Sequence, residues 1–232
     1  HAIENKYKWL LTLDQDSVVY PNLIVQYKKK LNLPYLGQLS CKRVDRNIKD
    51  DNILISVWGP LTRTDSFPQW SWANELWNPY ENFLIEIIKE FIARGNKVTL
   101  LALCENEGDL DACLKIKNDG QLETDIVTYK GNLQEIIDLF EQAKFVVGTR
   151  FHSVVMALNS NCAFYPIVYE SKTLQLLKDV GYNDHYSHIE QVESYCVQNV
   201  LSIYEKNNKI SCENLKSKAS EQFVRLKAYI EG

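Results

Sequence analysis

The feature that most constrains this chain is a regular alternation of short apolar runs and amphipathic stretches across residues 53–180. The runs are residues 53–58 (ILISVW), 97–103 (KVTLLAL), 125–129, 145–147 and 163–168. They are rich in Val, Ile, Leu and Phe and too short for helices, so they read as buried strands. Between and after them, residues 80–94, 110–117, 133–143, 151–158 and 174–180 read as helices. The first shows the pattern best: Phe83, Ile87, Ile88 and Phe91 recur at helical spacing, and Gly95 stops it. Strands separated by single helices pair in parallel through crossovers, so the expected fold is an α/β, doubly wound, Rossmann-like sheet. Ligands of such sheets bind beyond the carboxyl ends of the strands, which narrows the search for function to the loops after each run. The tail, residues 189–207 and 211–230, reads as two more helices.

The segment before residue 53 has a different texture. Residues 7–13 (YKWLLTL) read as a strand ending at Asp14 and Asp16, and Pro21 opens a helical stretch over residues 22–31. Residues 42–52 are charged and polar, as in a junction. The expected division is a short α/β piece over residues 1–48 and a larger domain over residues 49–232. The chain opens on His1, and its only methionine is Met156, which reads as a fragment, a processed product or an excised domain.

Charge and cysteine usage exclude several classes. A net charge of −4 is not the basic footprint of a general nucleic-acid binder, though it leaves room for a local cationic pocket. No apolar run reaches the length of a membrane span, and no secretory leader opens the sequence. The six cysteines form no Cys-x-x-Cys pair and read as buried, reduced thiols of a cytoplasmic protein.

The loop with the most chemistry follows residues 145–147. Gly148-Thr149-Arg150 ends that strand, and a helix begins near Phe151. Gly148 allows a sharp turn or close approach of a ligand. The helix start offers unpaired N–H groups and partial positive charge. Arg150 adds a planar fork suited to a carboxylate or phosphate, and His152 adds a group that titrates near neutrality. Ser153 is small and lies beside them. The residues alone leave another reading open, in which Arg150 pairs with a neighbouring acid and His152 is an ordinary helix-start histidine. A cluster of Trp58, Trp70, Trp72 and Trp77 is similarly double-sided: it suits a sugar-stacking groove or the packing of a core or domain interface.

Residues 139–172 (LFEQAKFVVGTRFHSVVMALNSNCAFYPIVYESK) resemble the polysaccharide pyruvyl transferase family. The resemblance rests on Gly148, Arg150, His152, Ala157, Pro166, Tyr169 and Lys172 in order and spacing, with weaker agreement from Ile53 through the acidic loop at Glu105 to Asp111. It covers about residues 52–182, the carboxyl-terminal half of a two-lobed, GT-B-like arrangement whose other half helps bind the acceptor. Residues 8–47 instead look like an internal piece of a family 2 glycosyltransferase of the rhamnosyltransferase type. There Asp14 and Asp16 match a strand-end Asp-x-Asp that holds Mg or Mn on a sugar nucleotide.

The first resemblance implies transfer of the pyruvyl group of phosphoenolpyruvate to a sugar as a ketal, in exopolysaccharide or other cell-envelope polysaccharide biosynthesis. Arg150 and His152 are then the expected catalytic pair. Arg150 itself, Gly148, Ser153, Lys172 and, more weakly, Arg63 are expected to contact substrate, Arg150 through the donor's carboxylate or phosphate. No cofactor and no metal are expected; the partners are phosphoenolpyruvate and a saccharide or lipid-linked saccharide acceptor, with no nucleic acid. Action at the inner face of the membrane, without a transmembrane segment, follows from such an acceptor. The alternatives are a metal-dependent glycosyltransferase using Asp14 and Asp16, and an inactive truncated or fused remnant.

Overall fold

The computed structural model describes residues 51–59 and 72–219, together with 221 and 224. Among the described residues, six strands make one parallel sheet in the order β3-β2-β1-β4-β5-β6. They are β1 (Asn52–Val57), β2 (Lys97–Ala102), β3 (Asp125–Thr128), β4 (Phe145–Gly148), β5 (Ala163–Val168) and β6 (Ser187–His188). Every pairing is parallel, with Val57 opposite Ala102 on one side of β1 and Ser56 opposite Gly148 on the other. This is the strand order of dinucleotide-binding sheets, and it reverses between β1 and β4. The chain steps outward from β1 to β3, then returns to the far side of β1 to build β4, β5 and β6. The switch point, where sheets of this order take their ligands, therefore lies at the carboxyl ends of β1 and β4.

Among the described residues, the two faces are covered by α1 (Trp72–Ala93), α2 (Asp109–Asp119), α3 (Leu133–Gln142), α4 (Phe151–Asn159), α5 (Ser171–Asp179) and α6 (Val197–Lys206), and residues 213–219 are also helical. Alternation along β1 divides the core. Ile53, Ile55 and Val57 point to a cluster with Tyr80, Leu84, Ile87 and Phe91 of α1, Ile116 of α2 and Val200 of α6. Leu54 points the other way, to Phe140 of α3, Val154 and Ala157 of α4 and Leu177 of α5. Burial on both faces explains why the strands read as continuous apolar runs instead of alternating ones. The expected doubly wound α/β fold is what the chain adopts.

Three local expectations are corrected. Helix α1 starts at Trp72, not at residue 80, and carries Pro79 inside it. Proline normally ends a helical pattern, but Ala73, Trp77, Tyr80 and Leu84 form one buried stripe across it. Burial of that stripe outweighs the missing N–H. Helix α5 begins at Ser171 instead of residue 174.

The single helix expected over residues 189–207 is two elements. Ile189–Ser194 is a 3-10 helix, Tyr195 and Cys196 are extended, and α6 follows. Ile189, Val192 and Tyr195 all face the core at a spacing of three, the repeat of a 3-10 turn.

The described cysteines also differ from the reading of uniformly buried thiols: Cys113, Cys162 and Cys212 are buried, Cys104 is partly so and Cys196 is exposed. No helix among the described residues is long and apolar enough to cross a membrane. The expected strand over residues 7–13, the helix over residues 22–31, Asp14, Asp16, Arg63 and Trp70 lie outside the described residues.

Candidate active site

The loop after β4 is shaped first by packing. A methyl group on Gly148 would lie 2.9 Å from the Ser153 hydroxyl oxygen and 3.2 Å from a methyl of Val154. The glycine thus lets α4 sit directly on the strand. Ser153 is fully buried, and its hydroxyl donates to the Arg150 carbonyl at 2.6 Å. Gly148 and Ser153, expected to contact substrate, are occupied in building the turn.

Arg150 precedes α4 in an extended conformation (φ −68°, ψ 136°), which directs its side chain away from the helix. The guanidinium is 7% exposed as a residue and turns toward acids. Its Nε donates to both carboxylate oxygens of Asp109, at 3.0 and 3.1 Å. One terminal nitrogen, Nη2, also bonds Asp109, and the other, Nη1, bonds Glu107.

Asp109 is the first residue of α2 and is 0% exposed. Its Oδ1 accepts the Gly59 N–H at 2.9 Å, and its Oδ2 accepts the Cys104 N–H at 2.9 Å. One carboxylate thus joins the loops after β1, β2 and β4. The approach is close enough that a methyl group on Gly59 would lie 2.2 Å from the Gly108 backbone.

Burial pushes the Asp109 carboxyl up, against the pull of Arg150 and the two N–H groups. Burial also works against the charge of Arg150. Asp109 and Glu107 outweigh it and hold the guanidinium above its ordinary pKa. Arg150 is therefore held as a cation by these carboxylates.

A second clamp comes from α1. The Trp58 N–H donates to the Tyr80 hydroxyl at 3.1 Å, and that hydroxyl shares a 2.8 Å hydrogen bond with Thr149 Oγ1. Burial raises the Tyr80 phenol above its usual range, so it remains neutral. Trp58 stacks on Tyr169 after β5, with centroids 4.8 Å apart and planes 18° from parallel. Trp58 and Trp77 are 1% and 2% exposed and pack edge-on against Tyr80. The two described tryptophan side chains of the cluster belong to the core and line no sugar groove.

The exposed face of the turn has other groups. His152 is exposed, its ring edge-on to Phe151 at 5.6 Å between centroids. The Lys172 ammonium lies 5.1 Å from the centre of the same Phe151 ring. It is also 3.4 Å from Glu170 Oε1. Phe151 thus gathers a histidine and a lysine at the start of α4. Arg150 does not join them in an open pocket as expected, because its fork is taken by Asp109 and Glu107.

Sequence reading missed Asp109, Glu107, Tyr80 and Thr149 as members of this site. The acidic run after β2 was the available signal, and only the strand order shows which loop it meets.

The polysaccharide pyruvyl transferase family model matches residues 46–171. No curated protein and no solved structure gives a significant match. The matched span runs from before β1 to the first residue of α5 and includes both clamps, Arg150 and His152. More than half of the chain fits that one model: the chain belongs to the polysaccharide pyruvyl transferase family.

Proposed function

We propose that this α/β domain carries the pyruvyl-transfer site for phosphoenolpyruvate in the synthesis of a cell-surface polysaccharide. The observation that supports it is the meeting of His152 and Lys172 on the Phe151 ring, at a helix start beside the sheet's switch point. The donor carries a carboxylate and a phosphate, so its site requires cations and N–H groups. Lys172 and the amino end of α4 supply them. A sugar hydroxyl adds to the carbon bearing the phosphate while the neighbouring methylene gains a proton. A second hydroxyl then displaces inorganic phosphate, taking its place on that carbon and closing the ketal. His152 is the side chain that donates the proton to the methylene and relays those released by the hydroxyls.

Arg150 serves beneath this face. Asp109 fixes its plane, and its charge raises the potential of the turn above. The acceptor is a saccharide or lipid-linked saccharide, and the work is done in the cytoplasm at the inner face of the membrane.

The test is release of phosphate from phosphoenolpyruvate in the presence of cell-wall oligosaccharides. His152→Gln should lower kcat by about a hundredfold or more, with KM for the donor little changed. Turnover within a few-fold of wild type removes His152 from proton transfer. Turnover of a sugar nucleotide with Mn or Mg, in place of phosphoenolpyruvate, overturns the proposal itself.

A further inference from the structure

The two acids that hold Arg150 are not equivalent. Asp109 has a side-chain exposure of 0%, against 18% for Glu107 and 9% for Arg150. Asp109 is also pinned by the Gly59 and Cys104 N–H groups, within a helix whose Ala112, Cys113 and Ile116 are buried. Glu107 ends a three-residue 3-10 turn, Glu105–Glu107, that buries none of its residues. The next residue is Gly108, at φ 84°, a conformation that glycine adopts without steric cost. Asp109 occupies Nε and Nη2 of the guanidinium, and Glu107 occupies Nη1.

We propose that Glu107 is an internal stand-in for a small anionic ligand: a carboxylate- or phosphate-bearing molecule displaces it from the Nη1 edge of Arg150. The surface turn moves, while Asp109 keeps the guanidinium plane in place. Charge favours the exchange. An anion entering beside both carboxylates would be repelled by each of them. With Glu107 displaced, the incoming group meets the Nη1 edge of Arg150 with one carboxylate fewer beside it. A closed resting state lowers apparent affinity by the fraction of molecules that are open, so loosening the Glu107 contact should tighten anion binding. A contact that merely stabilised the loop would have the opposite effect or none. Only the identity of the ligand as phosphoenolpyruvate rests on the function proposed above.

The experiment titrates the full chain with inorganic phosphate and, separately, with phosphoenolpyruvate by calorimetry. Glu107→Gln should bind both about tenfold tighter than wild type. Glu105→Gln, which removes a charge from the same turn without touching Arg150, should change affinity by less than about twofold. Glu107→Ala carries the same expectation and replaces the glutamine variant if that one does not fold. Tighter phosphate binding by the Glu107 variants, with phosphoenolpyruvate bound by none, supports displacement and removes the proposed donor. Phosphoenolpyruvate bound equally or more weakly after Glu107→Gln overturns displacement and leaves the donor in place. Equal gains from the Glu105 and Glu107 variants, or no anion binding by any protein, also overturn displacement.

Discussion

Beneath the β4–α4 turn, Arg150, Asp109, Tyr80 and Thr149 are buried and hydrogen-bonded to one another or to the neighbouring loops. Above it, His152 and Lys172 stand at the surface around Phe151. Arg150 and His152 are two residues apart and belong to one motif, yet they live in opposite environments. The difference teaches that such a motif divides its labour. Part of it ties three strand ends together, and part is left over for chemistry. A buried cation held between carboxylates contributes orientation and potential in the resting state, whereas an exposed imidazole can exchange protons with a ligand.

Substitutions on either side should separate these tasks. Asp109→Ala has the largest expected effect. It leaves the Arg150 charge buried without its main partner and orphans two backbone N–H groups. The cost should be about 3–5 kcal/mol in a denaturant titration. A loss near zero would mean that the clamp holds nothing.

Tyr80→Phe keeps the ring and removes the hydroxyl that serves the Trp58 N–H and Thr149. Destabilisation of about 1–3 kcal/mol is expected, without loss of the α1 packing. Retained stability would show that water replaces the phenol.

Alkaline pH probes the buried side without mutation. Burial, followed by the charge of Glu107, pushes the Cys104 thiol up to about 11. Burial takes Cys162 and Tyr165 up to about 12. The unfolded chain releases the thiol protons first, at roughly pH 8.5, whereas the folded chain still holds them. Stability is therefore fully present below that pH and falls as pH rises toward 11. Melting curves between those limits should show the decline, and Cys104→Ser should make it shallower without abolishing it. A melting temperature that stayed level would contradict the protonated state of these groups.

The smallest effect on stability belongs to His152→Ala. An exposed ring should change unfolding free energy by no more than about 0.5 kcal/mol. A large loss of stability would place His152 with the buried residues and erase the contrast.

Much of the fold was legible because its strands are buried on both faces. Ile53 to Val57 and Ala163 to Val168 leave no other role for such runs, and the helices between them forced parallel pairing. The failures have physical causes. Pro79 hid the first turns of α1 because a local rule lost to the buried stripe from Ala73 to Leu84. The 3-10 turn at Ile189 was read as part of a longer helix because a period of three resembles 3.6 over six residues.

The site was half legible. The sequence places Arg150 and His152 at a strand end, and it allowed either an open anion pocket or an ion pair for the arginine. The partner that decides it, Asp109, is 41 residues away, and its Gly59 contact spans 50. Nothing local to Arg150 announces either.

The most direct measurement is a phosphoenolpyruvate titration of the full chain beside the double variant His152→Ala/Lys172→Ala. Saturable binding by the wild type should fall by about a hundredfold in the variant, with the melting temperature unchanged. Binding that survived the double substitution, or a wild type that took up no phosphoenolpyruvate, would contradict an anion site on the exposed face of the turn.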